Sequence, residues 1–336
     1  MSSWKSYLNA DPIDWLLEED NPSVRYFTLK YILDKPENQL KREDAREDLM
    51  KIGVVPKILD KQEAGGYWGI PENFYIRGKY KGTSWQLIIL AELGADKKDD
   101  RINSICEFML ENSQDPESGA FSYLGSKKGS GGDPLKILPC LTANMVWSLI
   151  RFGYLADERV KKAIGWLIKT QRFDDGTDKP PEGWPYDPWE KCWGRHTCHS
   201  IVVKTLKAFS EIPEKQRTSG IKDYIYKGTE FLLKHHIYKR SHDLNQIGHE
   251  KWLEMGFPLM WDFDILEVLL ILIKLGFKDE RMQDAVNILI SKQDDNGKWI
   301  LERTFNGRMQ VSIERKGKPS KWITFKALQV LKGYYQ

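Results

Sequence analysis

Apolar residues along this chain follow two helical signatures that alternate. One is a stripe. In Val160, Ala163, Ile164 and Leu167 the apolar side chains fall three and four positions apart, which marks a helix with one buried face. Segments 102–113, 160–170, 221–235 and 282–292 share it. The other set, 84–93, 144–155, 199–209, 265–275 and 323–331, is apolar nearly all round, as in Ile265-Leu266-Glu267-Val268-Leu269-Leu270-Ile271. A helix of that composition is buried on most faces. The alternation predicts pairs of one outer and one inner helix. Residues 23–34, with Asn21-Pro22 as a start signal, predict a further inner helix. Another helix is expected over 45–61.

The junctions repeat a phrase: Gln, a polar turn containing Gly, then an aromatic. It runs from Gln62 through Gly66 to Trp68, from Gln114 through Gly119 to Phe121, and from Gln293 through Gly297 to Trp299, with a looser copy from Gln171 to Gly176 and Trp184. The spacing from Gln62 to Gln114 is 52 residues, from Gln114 to Gln171 it is 57, and Gln293 follows after a double interval of 122. A degenerate copy falls near His235-His236. A period of this size is the signature of a repeat architecture. A helical hairpin cannot bury its inner face alone, and stacked neighbours do that. Neither chain end reads as the polar cap an open solenoid requires. The expected fold is therefore all-α: an α/α toroid, a closed ring of about six helical hairpins forming a single domain over 1–336. Segment 1–43 is expected to close the ring. Within the phrase, Gln is expected to cap the backbone at its own turn, Gly to take a left-handed conformation, and the aromatic to stack between hairpins.

The phrase resembles the repeat motif of the terpenoid cyclase and protein prenyltransferase superfamily, and the resemblance runs from about residue 44 to the end. It implies a central cavity for an isoprenoid or similar apolar substrate. Cys198 stands where the prenyltransferase beta subunits have a zinc-binding Cys, with Ser200 matching the hydroxyl residue that follows. His196 occupies the place of the family Asp, and Asp262 or Asp264 that of the family His. Zinc on His196, Cys198 and Asp262 is what this likeness implies, in permuted form. Asp262-Phe263-Asp264 also resembles the Asp-x-Asp-Asp acid of class II terpene cyclases, with Asp264 matching the proton donor and Ile265 replacing the last Asp. Prenyltransfer in that superfamily uses a second helical subunit, which the likeness implies as a partner.

Loop length is uneven. Outer-to-inner connections are long (65–82, 115–138, 174–194, 237–259, 294–320), and inner-to-outer ones are short. With alternating helices, the long loops share one end of the ring, and they are expected to wall a cavity that opens there. Inner-helix starts at that end supply the candidate chemistry. Asp262, Asp264 and His199 are candidate catalytic groups. Trp85, Asn144, Trp261 and Trp322 are candidate substrate contacts, with aromatic faces suited to a carbocation. Arg308 and Lys321 suit a diphosphate. The segment Met309 to Ile313 reads as a strand, and Asn306-Gly307 as a turn. Two other classes fit the same ring. One is a non-catalytic lipid-binding or scaffold protein. The other is a carbohydrate-active α/α-barrel enzyme, which needs opposed carboxylates, with Glu250 or Glu314 to complete a pair.

Composition narrows the partners. Lys and Arg (51) nearly balance Asp and Glu (48), without a basic block, so nucleic acid is not indicated. No apolar run approaches the ~20 residues of a membrane span. The start, Met1-Ser2-Ser3-Trp4-Lys5-Ser6, has no signal-peptide core, and four cysteines without paired spacing fit a reducing, cytoplasmic location.

Overall fold

The computed structural model describes every residue except 1–2, 43–44, 76–79, 128, 177–178, 180 and 195. Both ends of segment 1–43 and parts of three long loops therefore lie outside the described residues. The helices are α1 (Ile13–Leu16), α2 (Pro22–Phe27, continued by a π-helical turn Thr28–Ile32), α3 (Glu37–Arg42), α4 (Ala45–Lys51), α5 (Val54–Leu59), α6 (Thr83–Leu93) and α7 (Asp100–Asn112). They continue with α8 (Pro139–Arg151), α9 (Glu158–Thr170), α10 (His199–Ser210), α11 (Ser219–Lys234), α12 (Ile265–Lys274), α13 (Gln283–Ser291) and α14 (Lys321–Tyr335). The helix expected over 45–61 is two, because Gly53 at φ 88° breaks it before α5. The strand expected from Met309 is a single bridge between Met309 and Tyr80. A two-stranded hairpin forms instead between Lys239–Arg240 and Asp243–Ile247.

The inner helices are α2, α6, α8, α10, α12 and α14, and each packs on the next: α6 on α8, α8 on α10, α10 on α12, α12 on α14, and α14 on α2 and its π turn. The circle closes where α6 ends. Gly94, left-handed at φ 79°, sits so close to Phe27 of α2 that a Cβ would meet the ring at 2.5 Å. The chain is an α/α toroid. Its chain ends meet at a seam: the Gln293 side-chain amide donates to the Tyr7 carbonyl at 2.9 Å, Asn9 returns two hydrogen bonds to Gln293 and Asp294, and Tyr7 stacks on Tyr335 at 3.8 Å.

The repeated phrase works between hairpins. Gln62 donates to the Arg101 carbonyl at 3.0 Å and Gln114 to the Arg159 carbonyl at 2.8 Å. Each therefore reaches the first turn of the following outer helix and does not simply cap its own turn. The reason is local: those first turns are held by an Asp-x-Arg clamp, in which Asp99, Asp157 and Asp279 each cap the helix and bind the Arg two residues on. The aromatic is pinned from the inner side. The backbone N–H of Trp68, Phe121 and Trp299 donates to the hydroxyl of Thr83, Thr142 and Thr324, respectively. One turn thus ties an outer helix, the next outer helix and an inner helix, so each hairpin is fixed to its neighbour.

Candidate functional site

A cavity of about 400 Å³ lies on the ring axis at the C-terminal ends of the inner helices. Its wall is mostly apolar, with Trp147 from α8, Leu270 and Ile271 from α12, and Trp322 and Phe325 from α14. The expectation placed the opening at the long-loop end, and this cavity lies at the opposite one. At the long-loop end, aromatic residues from the loops pack over the inner-helix starts: Tyr80 against Trp85 at 5.0 Å, Phe305 against Tyr80 at 4.1 Å, and Phe257 flat on Trp322 at 4.4 Å.

The inner helices carry charges into this wall. Lys204 and Lys207 of α10, Glu267 of α12, Glu92 of α6 and Lys326 of α14 form one chain of ion pairs. Lys204 meets Glu267 at 2.7 Å, Lys207 meets Glu267 at 3.0 Å and also Glu92, and Lys326 meets Glu92 at 3.1 Å. Burial alone would raise Glu92, but Lys207 and Lys326 outweigh it and hold its carboxyl well below the usual range. Glu267 is lowered for the same reason. Lys207, with two carboxylates, is raised. Lys204, fully buried with one carboxylate, is lowered because desolvation dominates. Three ammonium groups face two carboxylates here, and Arg151 and Lys274 share Glu211 at the rim. Each group therefore holds one cation more than it has carboxylates. Glu92 and Glu267 are therefore both held in the ionised form by their lysines.

Of the residues singled out from sequence, Trp322 lines the cavity, and its indole Nε1 has no hydrogen-bond partner. The others lie elsewhere. Trp85 is buried and donates to the Tyr75 carbonyl at 2.7 Å. Asn144 donates to the Cys140 and Met260 carbonyls, and its Oδ1 is unpartnered. Trp261 is exposed, with its Nε1 donating to the Tyr80 hydroxyl. Arg308 lies over the Tyr80 ring at 5.3 Å. Lys321 is ion-paired with Glu18 at 2.8 Å and with Asp20, bracing the seam.

Asp264 caps α12. Its carboxylate accepts the Glu267 and Gly256 backbone N–H groups, each at 2.8 Å. Burial pushes it up to about 6, against the pull of those two donors. Asp262 pairs with Arg303. Glu314 likewise caps α14, accepting from the Lys321 backbone at 2.9 Å.

His199 packs between His235 at 4.5 Å and Trp252 at 4.9 Å. Burial, helped by the His235 imidazole, pushes it down to about 3, so it is neutral at physiological pH. His196 is exposed and bonded to its neighbour's carbonyl. A hydrogen bond from Cys192 holds Cys198 down to about 6 in spite of burial. Among the described residues, no three His, Cys, Asp or Glu side chains are arranged to hold a metal ion. With His196 turned to solvent and Asp262 taken by Arg303, the set expected for zinc does not fit, and no step is routed through it.

The charges that sequence reading passed over had a signal. Glu267 and Lys204 are single ionisable residues inside Ile265-Leu266-Glu267-Val268 and Ile201-Val202-Val203-Lys204. A lone charge in an all-round apolar helix requires a buried partner.

No family model matches the chain, and no curated protein does. Among solved structures, a protein from Actinoplanes is similar at 14% identity and a TM-score of 0.44, covering 94% of this chain and 90% of that one. The type II terpene cyclase MstE from Scytonema is similar at 14% identity and a TM-score of 0.44, over 93% and 86% of the two chains. A variant of that cyclase in complex with geranylgeranyl dihydroxybenzoate gives 15% identity and 0.43, over 94% and 87%. Likenesses of this size carry nothing about chemistry. No helix among the described residues is long and apolar enough to cross a membrane.

Proposed function

We propose that this ring binds an isoprenoid or similar apolar chain in its axial cavity, and that it holds this ligand without protonating it. The ligand class is the one the Gln-Gly-Trp likeness implies. The observation that carries the reading is the cavity wall. Trp147, Trp322 and Phe325 offer aromatic faces beside Leu270 and Ile271, while the acids nearby are neutralised by lysines and have no proton to give. A volume of about 400 Å³ suits a small-molecule site, since such pockets span roughly 300–1,000 Å³. The test is titration with geranylgeraniol, followed by tryptophan fluorescence. Saturable quenching is expected, weakened at least tenfold by Leu270→Arg, which places a charge in the apolar wall. Absence of saturable binding, or an unchanged affinity in the variant, sinks the reading.

One observation favours a second reading, a class II cyclase. Asp264 is a buried carboxyl raised to about 6, the direction a proton donor requires. The two backbone donors on its oxygens favour the ionised form and explain the residue as a cap. Incubation with geranylgeranyl substrates separates the two readings: cyclised product that is lost in Asp264→Asn, with binding retained, establishes the second.

A further inference from the structure

The four cysteines are free thiols in unequal surroundings. Cys106 is buried in α7, whereas Cys192 is exposed and Cys140 and Cys198 are half-buried. These last three come from separate elements. Cys140 lies in the first turn of α8, Cys192 in a π turn formed by Glu190–Gly194, and Cys198 at the N-cap of α10. The Cys192 thiol is hydrogen-bonded to the Cys198 sulfur, and Cys140 is close enough to interact electrostatically with both. We infer that Cys192 and Cys198 form a reversible dithiol–disulfide site, closed by a hydroperoxide-class oxidant and reopened by a small thiol.

The fold supplies what such a site needs. An unpaired cysteine is usually buried and inert, but here an oxidant reaches the pair through the exposed Cys192. The two sulfurs are also held in contact before any bond forms. On one side Trp193 is buried, with ring centroids 6.2 Å from Trp166 and 4.9 Å from Tyr186, and Arg172 donates to the Gly194 carbonyl at 2.5 Å. On the other side Cys198 is fixed by α10, which packs along α8. Cys198 is the better nucleophile of the two. It accepts the Cys192 S–H and stands at a helix N-terminus, where free N–H groups favour a negative sulfur. Its sulfur attacks one peroxide oxygen, the O–O bond breaks, and the other oxygen leaves as water with the thiol proton, so that Cys198 becomes a sulfenic acid. The Cys192 sulfur then attacks the Cys198 sulfur. The S–S bond forms, the S–O bond breaks, and the hydroxyl leaves as water with the Cys192 proton. Two electrons pass from the sulfurs to the peroxide. Exchange with two equivalents of a small thiol restores both cysteines. Closed, the bond ties the loop 174–194 to the start of α10.

The test treats the native protein with hydrogen peroxide, blocks the remaining thiols with iodoacetamide and digests with trypsin. Trypsin cuts after Lys191, Arg195 and Lys204, so the disulfide links peptide 192–195 to peptide 196–204 and mass spectrometry reads it directly. The linked pair is expected in the native wild type, and dithiothreitol should remove it. In urea, where the contact is lost, it should form at least tenfold more slowly. Cys192→Ser, a change at an exposed position, should abolish it, and Cys140→Ser should leave it in place, with circular dichroism checking both folds. Recovery of Cys192 and Cys198 as alkylated thiols, or as single sulfinic or sulfonic acids, overturns the site. A dominant bond from Cys140 to either residue, or equal rates in urea and in the native protein, overturns it as well. None of these readouts involves the axial cavity, so the outcome is independent of the ligand proposed there.

Discussion

Replacing Glu267 with Gln tests the buried charge chain at its weakest link. Lys204 is fully buried, and its ammonium meets one carboxylate, Glu267 at 2.7 Å. The amide removes that charge and leaves an ammonium in the apolar core. Breaking a buried pair in this way costs about 3–5 kcal/mol, a large share of the ~5–15 kcal/mol that holds a domain folded. The reciprocal change, Lys204→Met, is expected to cost less than about 1.5 kcal/mol. It fills the same space with an apolar chain, and Glu267 keeps Lys207 at 3.0 Å.

The pH dependence has a definite sign. Lys204 is already lowered by burial, and losing Glu267 lowers it further. A base whose folded pKa lies below its unfolded value carries its full penalty below the folded pKa, and that penalty fades as pH rises toward ~10.4. The deficit of Glu267→Gln relative to wild type should therefore shrink between pH 7 and 9.5. Urea unfolding at both pH values reads this directly, with an unchanged m-value as the check on comparability. A Glu267→Gln protein within 1 kcal/mol of wild type, or a Lys204→Met protein less stable than Glu267→Gln, refutes the argument that an unpaired ammonium is the cost.

Three further outcomes follow from the ring. Gly297→Ala should lower stability by at least about 2 kcal/mol in thermal unfolding, because φ is 67° and a Cβ would stand 2.0 Å from the Ala10 carbonyl oxygen at the seam. Gly276→Ala, at φ 89° with nothing within 4 Å, should cost only about 1 kcal/mol of strain, and equal losses would show that the seam is not the cause. Asp279, held down to about 2 by its hydrogen bond to Arg281, contributes stability that is present above the unfolded value near 3.9 and lost as pH falls through about 2. Asp279→Asn should therefore cost about 1–2 kcal/mol at pH 7 after allowing for solvent screening, and the gap to wild type should close from pH 4 downward in denaturant titrations. Gln114→Ala removes hydrogen bonds of 2.6 and 2.8 Å to the Gly119 and Arg159 carbonyls. A loss of about 1–3 kcal/mol is expected by urea unfolding, and no loss would mean the phrase does not join the hairpins.

The ring was legible in the chain because its cause is periodic. A hairpin that needs a neighbour on both sides writes the same contacts into each unit, so Gln62, Gln114 and Gln293 recur with Gly66, Gly119 and Gly297 behind them. The direction of the Gln side chain was not legible. Its acceptors, the Arg101 and Arg159 carbonyls, lie on a helix that follows only after a long loop and an inner helix. The Asp-x-Arg clamp that prepares them, seen at Asp99, Asp157 and Asp279, is short enough to pass for ordinary surface charge.

The cavity at the short-loop end was not legible for a related reason. Loop length says where chain accumulates, not whether it stands open or folds inward. Here Tyr80, Phe257 and Phe305 are large apolar side chains in those loops, and leaving them in water would forfeit about 1.5–3 kcal/mol each. They pack over the inner-helix starts, against residues such as Trp85 and Trp322 that had been expected to meet a substrate there. At the other end the connections are too short to cover the axis, so the inner helices must supply their own wall. An all-apolar wall there would be an exposed patch. Lys207, Glu92, Glu267 and Lys326 give the wall polar groups, and the pairing among them lets those groups be buried. The same constraint that makes the short-loop end hollow therefore also makes it charged.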